Sequence, residues 1–329
     1  MDMNRRMLLR AAGAGLCLSA APDAFAKSNW PSRTVTIISP YGVGGPNDLS
    51  ARVFAAELGK RLGQSFIVEN KTGAGTRVGN NYVAHARGDG YTLLYAAAPY
   101  ATQEALYGNL GYNPRKDLQP VAMTATVPLF LIVNAKLGVK TAQELVAYGK
   151  ANPKGLTFAD PGYGSMPHLA EELLLQESGV KGLAVHHRGD VGAYTDLLAG
   201  RVDATLTALT AALPYVRNGK LRVLGVASDK RSAIDPTAPT LAEQGLPEVV
   251  AYGWYGFMAP AAVPQPIVSR LDAAILASLK EPQVSKRLLA LGMDPHPLDA
   301  AGFRAFIDAQ MSKWGAVIRK AGLKGGGGA

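Results

Sequence analysis

Strand-like and helix-like segments alternate along most of the chain, which predicts an α/β fold of parallel-sheet layers arranged in two lobes. Short β-branched runs recur between stretches whose apolar residues fall at helical spacing. Several helical stretches stop at a glycine, as in Arg61-Leu-Gly63, Glu177-Ser-Gly179 and Leu198-Ala-Gly200, where a left-handed C-terminal residue is easiest to place. The 329 residues also exceed a typical single domain, even without a leader.

Val35, Ile37 and Ile38 make 35–39 a buried strand, and Leu49, Val53, Phe54 and Leu58 recur along one face of a helix over 48–61. By the same patterns, strands follow at 66–69, 92–96, 128–134, 157–159, 183–186, 204–207, 223–227 and 255–260. Further helices are expected at 75–85, 102–107, 142–152, 166–178, 194–200, 209–218, 266–279, 283–291 and 300–321. No internal repeat is visible, and the glycine-rich tail 324–329 is low in complexity.

Residues 1–26 read as an export signal. Arg5, Arg6 and Arg10 form a cationic start, 8–21 a short apolar core, and Ala24-Phe-Ala26 a small-x-small cleavage site before Lys27. The mature chain is therefore expected in the periplasm, and Arg5-Arg6 fits either the general secretory or the twin-arginine route. Cys17, the single cysteine, lies inside this leader behind Leu16, where a lipoprotein signal would need a small residue. No disulfide, thiolate nucleophile or cysteine-held metal is expected in the mature chain. No later stretch reaches the roughly 18 uncharged apolar residues of a membrane span. The formal charge of +9 favours anionic small molecules as partners. The scattered basic residues, without interleaved aromatics, argue against nucleic acid.

The first strand breaks into Pro40-Tyr-Gly-Val-Gly-Gly-Pro-Asn-Asp48 before its helix. Gly42, Gly44 and Gly45 allow close backbone approach, Asn47 or Asp48 is placed to cap, and the free N–H groups of the helix start would face an anion such as a carboxylate. A second turn, Asp160-Pro-Gly-Tyr-Gly-Ser-Met-Pro-His168, has the same layout. Ser165 is its cap and Pro167 sits in the first helical turn, with backbone donors expected at Gly164, Ser165 and Met166. The GxGxxxG of Gly73, Gly75 and Gly79 departs from the dinucleotide fingerprint and reads as tight helix packing.

Catalytic spacings are missing. Tyr163 stands two residues before Ser165, so there is no GxSxG elbow, and no GxxxxGK[ST] loop occurs. The five histidines show no HExxH or i, i+4 pair, so no metal is expected, and no cofactor either. An exported hydrolase or isomerase acting on a small carboxylic acid remains the competing reading.

Trp30-Pro-Ser-Arg-Thr-Val-Thr-Ile-Ile-Ser-Pro-Tyr-Gly-Val-Gly-Gly-Pro-Asn-Asp-Leu-Ser-Ala-Arg52 resembles the opening of the Bug family, the periplasmic solute-binding proteins of tripartite tricarboxylate transporters. Gly88-Asp-Gly-Tyr-Thr-Leu-Leu94, Gly162-Tyr-Gly-Ser-Met-Pro-His-Leu169, Asp196-Leu-Leu-Ala-Gly-Arg-Val-Asp203, Pro239-Thr-Leu-Ala-Glu-Gln-Gly-Leu-Pro247 and Trp254-Tyr-Gly-Phe-Met-Ala-Pro260 follow in the family's order. The resemblance implies a two-lobed periplasmic binding protein of the Venus-flytrap kind, type II-like, with two crossover segments. Residues 27–126 and 252–329 would form one lobe and 127–251 the other. It implies a monomer that closes on a small-molecule carboxylate and meets membrane permease subunits.

Mapped on the family, the first cradle spans Tyr41, Gly42, Val43, Gly44, Gly45, Asn47 and Asp48, and the second spans Gly162, Gly164, Ser165, Met166 and His168. Two such helix starts would grip opposite ends of one dicarboxylate. Asp48 is open to two roles, capping its helix or touching ligand, and His168 to ligand contact or a structural hydrogen bond. Arg188 follows His186-His187, where many relatives carry Pro-Tyr, and serves either the ligand or an ion pair with Asp190. The strand at 204–207 ends in Thr207 where relatives often place an aspartate, and this loss of an acid suits an anionic ligand and disfavours an amino group. Tyr95-Ala-Ala-Ala-Pro-Tyr100 adds small apolar surface around Ala98. An apolar middle between two anion grips points to an aromatic dicarboxylate such as terephthalate.

Overall fold

The computed structural model describes residues 30–187 and 189–323. The expected leader, with its cleavage site, lies outside them. The first half runs β1 (Val35–Ser39), α1 (Pro46–Leu62), β2 (Phe66–Asn70), α2 (Arg77–Ala84), β3 (Thr92–Ala97), α3 (Gln103–Tyr107) and β4 (Leu118–Pro128). There follow β5 (Phe130–Asn134), α4 (Ala142–Ala151), β6 (Leu156–Asp160), α5 (Met166–Ser178), β7 (Gly182–His186), α6 (Asp190–Ala199), β8 (Ala204–Thr207), α7 (Leu213–Arg217) and β9 (Leu221–Val226). The chain ends with β10 (Tyr252–Pro260), α8 (Gln265–Leu279), α9 (Pro282–Ala290), β11 (Asp294–Leu298) and α10 (Ala300–Lys320).

Two sheets result, ordered β11-β4-β10-β3-β1-β2 and β7-β6-β8-β5-β9. The chain passes from the first to the second between Pro128 and Phe130 and returns before Tyr252. The sheets are mixed rather than wholly parallel. β1 lies parallel to β2 and β3, and β6 to β7 and β8, whereas β10 runs antiparallel to β3 and β4, and β5 to β8 and β9. The antiparallel strands flank the two passages between sheets.

Two strands escape the sequence patterns. β4 is buried almost throughout, so it lacks polar–apolar alternation, and Pro120 and Pro128 mimic breakers. β11, Asp-Pro-His-Pro-Leu, is an edge strand in which two prolines are tolerated. α6 begins at Asp190, not at Tyr194, because Gly189 (φ 96°) turns the chain directly into it. At Gly79 a Cβ would stand 2.9 Å from Pro40 Cβ and 2.9 Å from Lys71 O, so α2 presses directly on the end of β1.

One core unites both sheets. Ile38, Leu94 and Met258 from the first join Leu131, Phe158 and Leu206 from the second, together with Phe303, Met311, Trp314 and Ile318 of α10. Each such fully buried large side chain contributes about 1.5–3 kcal/mol. α10 packs on β4, α3 and α5, and Gln176 of α5 donates to its Val317 carbonyl at 3.2 Å. Both glycine-rich turns are thereby held at the same seam, with the C-terminal ends of β1, β3, β6 and β8 nearby.

Candidate ligand-binding site

Between the sheets lies an open cleft of about 550 Å³. On the first side it is walled by Tyr41, Gly42, Val43, Gly45, Asn47 and Ala98, and on the second by Ser165, Met166 and Thr207. Val127, Leu129 and Tyr255 close it near the passages between sheets. An adjoining pocket of about 380 Å³ shares Tyr41, Gly42 and Ser165 and is lined also by Gly162 and Gly164. Gly44, Asp48 and His168 line neither. Arg188 lies outside the described residues.

The first turn keeps its donors open. Helix α1 starts at Pro46 with Gly45 as its N-cap and no side-chain cap, so neither Asn47 nor Asp48 takes the capping place expected of it. The backbone N–H groups of Gly42, Val43, Asn47 and Asp48 find no acceptor among the described residues. Left-handed geometry at Gly44 (φ 83°) folds the loop back so that its N–H donates to Asp48 at 2.9 Å. Asp48, 1% exposed, also accepts from Arg52 Nη2 at 2.9 Å, Arg52 Nε at 3.1 Å and Asn70 Nδ2 at 2.9 Å. Burial alone would raise this carboxyl, but the Arg52, Gly44 and Asn70 hydrogen bonds outweigh it and hold the group below the usual carboxylate range. Asp48 therefore steadies the loop from behind. Asn47 does likewise, accepting from Ser39 Oγ at 2.7 Å and donating to the Tyr95 carbonyl at 3.3 Å.

The second turn has spent most of its donors. Gly162 N–H donates to Asp160 Oδ1 at 2.7 Å, Ser165 N–H to the Gly162 carbonyl at 3.1 Å, and Gly164 N–H to His168 Nδ1 at 2.9 Å. Of the three donors expected here, only Met166 N–H is left without an acceptor among the described residues. Ser165 caps α5 as predicted, accepting from His168 N–H at 3.3 Å. Because His168 Nδ1 accepts, its ring is neutral with the proton on Nε2, directed toward Glu172 at 3.8 Å. Burial pushes its pKa down to about 4, against the pull of Asp160 and with the help of His186. His186 stacks edge-on at 4.6 Å and is tied to Asp160 Oδ2 at 2.7 Å.

The electrostatics of the wall contain one surprise. Asp190, the first residue of α6, is the single charged side chain among the described residues lining the cleft, and no lysine or arginine joins it there. Thr207 Oγ1 donates to its Oδ1 at 3.3 Å. Burial raises the Asp190 carboxyl, and the Thr207 hydroxyl offsets part of that rise. The acid expected to be lost at Thr207 is thus supplied from the neighbouring helix. They stand 17 positions apart in sequence, and the antiparallel packing of α6 beside β8 brings the start of the helix to the end of the strand. Burial also keeps the tyrosine hydroxyls protonated, with Tyr41 pushed up to about 12. Trp254 is 1% exposed and packs edge-on against Phe303 and Phe306, as a floor beneath the cleft. Among the described residues, no group of three or more His, Cys, Asp or Glu is placed to hold a metal.

Two α/β lobes joined by crossing strands, with main-chain donors and apolar surface lining the cleft between them, define a two-lobed solute-binding protein. The chain belongs to the tripartite tricarboxylate transporter receptor family, whose description matches residues 50–323, and is a Bug-type periplasmic solute-binding protein rather than an enzyme. It is 35% identical over 324 residues to protein BugT of Bordetella pertussis, covering 98% of this chain and 99% of the relative. A Rhodopseudomonas palustris protein solved with adipate superposes with a TM-score of 0.76 at 32% identity, over 89% of this chain and 98% of its own. MatC of the same organism, solved with bound malate, gives a TM-score of 0.72 at 33% identity, over 88% of this chain and 100% of its own.

Proposed function

We propose that this receptor captures a carboxylate with an apolar, ring-bearing body, terephthalate being the reference ligand, and presents it to the membrane permease subunits of a tripartite transporter. The observation that carries the reading is the first turn. The N–H groups of Gly42, Val43 and Asn47, residues that line the cleft, and of Asp48 behind them find no acceptor among the described residues, at a helix start whose dipole favours an anion, in a cleft wall without a described cation. The ring-sized apolar middle is supported by Val43, Ala98, Pro99, Val127, Leu129 and Met166. Solved relatives that hold adipate and malate support a carboxylate as the ligand class.

In this reading residues 27–126 with 252–329 form one lobe and 127–251 the other. The protein works as a monomer in the periplasm once the leader is removed near Ala26. A carboxylate that binds only the folded state raises its melting temperature by mass action, about 2.7 kcal/mol at a hundredfold excess over Kd. Thermal shift followed by calorimetric titration with terephthalate, benzoate, adipate, malate and citrate tests it. Terephthalate and benzoate are expected to shift the melt most. A melt unmoved by every carboxylate sinks the receptor reading, whereas stabilisation by malate or citrate but not by the benzene carboxylates removes the ring-bearing body.

A further inference from the structure

The two ends of the cleft are chemically unlike. The first turn offers open backbone donors and no charged side chain to the cleft, while the opposite wall offers open backbone donors, among them Met166 and Asp190, together with a carboxylate, that of Asp190, bound on one oxygen by Thr207. Asp190 Oδ2 accepts no hydrogen bond from the described residues, and it is not among the fully enclosed polar atoms lacking a partner. The carboxylate lines the cavity. Asp190 is an exposed residue at the cleft mouth, and a second ligand carboxylate brought to this end would meet like charge there, which disfavours it. A hydroxyl or a protonated amine would instead donate to Asp190, and a hydrogen bond to a charged acceptor is among the stronger ones.

We propose that Asp190, held by Thr207, is a specificity-determining residue that selects ligands whose far end carries a hydrogen-bond donor in place of a second carboxylate. This rests on the carboxylate-receptor reading and changes one end of the ligand expected there. The near end remains a carboxylate on the first turn, and the body remains apolar. Hydroxyl and ammonium groups share the chemistry that Asp190 recognises, and the two differ in charge.

Calorimetric titration of the purified protein with matched ligands tests the assignment. One series is terephthalate, para-(hydroxymethyl)benzoate and para-(aminomethyl)benzoate. The other places the same three end groups on an aliphatic chain of adipate's length. At least one donor-ended ligand is expected to bind more tightly than its dicarboxylate partner by on the order of tenfold. In Asp190→Asn that advantage should collapse, because the amide loses the charge and can itself donate to a carboxylate. Preference for the hydroxyl marks a neutral donor, and preference for the amine marks an ion pair. Asp190→Ala, with ligand-free melting curves of both variants, separates lost recognition from lost folding. The proposal is overturned if the dicarboxylates bind the native protein at least as tightly as their donor-ended counterparts, or if Asp190→Asn weakens all ligands of a series equally. Absence of binding by every compound in both series would overturn the receptor reading itself, and this assignment with it.

Discussion

The turns after β1 and β6 share one sequence layout, a strand, a glycine-rich bend and a helix with proline in its first turn, yet they use their backbone differently. After β1, the N–H groups of Gly42, Val43, Asn47 and Asp48 stay open, and the side chains behind them hold the bend in shape. After β6, Asp160 and His168 each take a backbone N–H for themselves, leaving those of Tyr163 and Met166 without an acceptor among the described residues, and of these two residues Met166 lines the main cleft. The difference comes from where the polar side chains sit. Asp48 reaches back to a single N–H and spends its remaining capacity on Arg52 and Asn70, whereas Asp160 and His168 point into their own loop. Similar glycine spacing therefore says little about how many donors a ligand can find.

Breaking the first bend should have the largest effect. Asp48→Asn removes the buried charge that organises Gly44, Arg52 and Asn70, and since Arg52 is half exposed the expected cost, about 3 kcal/mol in urea unfolding at neutral pH, comes from the weakened charge-assisted hydrogen bonds. Its sign with pH follows from the lowered native pKa. A carboxyl lowered on folding contributes in full above its unfolded value of about 4 and loses that contribution as pH falls through its native value. Native and variant stabilities should therefore converge in strong acid. A difference that persists unchanged at low pH would show that Asp48 acts by shape rather than charge.

The second bend has its own signature. His168 is neutral when folded with a pKa near 4, so the unfolded chain binds more protons between about pH 6.5 and 4. Stability should fall as pH drops through that window, by about 3 kcal/mol in all. Asp160, Glu172 and His186 face the same ring and titrate around it, so the clean reading is the difference between native protein and His168→Gln. That variant should lose the slope. Equal slopes in both would assign it to the neighbours. The smallest effect is expected from Ser165→Ala, which removes the α5 cap at a cost of about 1 kcal/mol by thermal melt. Weaker ligand binding beyond that loss would mean that the Ser165 hydroxyl also touches the ligand.

The strand–turn–helix units were readable because each carries a periodic apolar face and a glycine stop, as α1 and α5 do. β4 was not, since burial on both faces leaves no alternation to read. At the site, the bends could be found from glycine and proline alone. Which backbone donors remain open depends on side-chain direction at Asp48, Asp160 and His168, and no spacing encodes that. Asp190 was hidden for another reason. Its place in the wall follows from α6 starting directly after Gly189 and lying beside Thr207, a tertiary relation between residues 17 positions apart.

The open N–H groups of the first bend belong to the main chain, so no replacement other than by proline deletes one of them. Substitutions at Val43, Ala98, Met166 or Asp190 alter the body and far end of the space without touching that row of donors. Heritable change in such a protein is channelled: the anion grip resists drift as long as the bend keeps its shape, while a handful of wall positions are free to explore new solutes one substitution at a time.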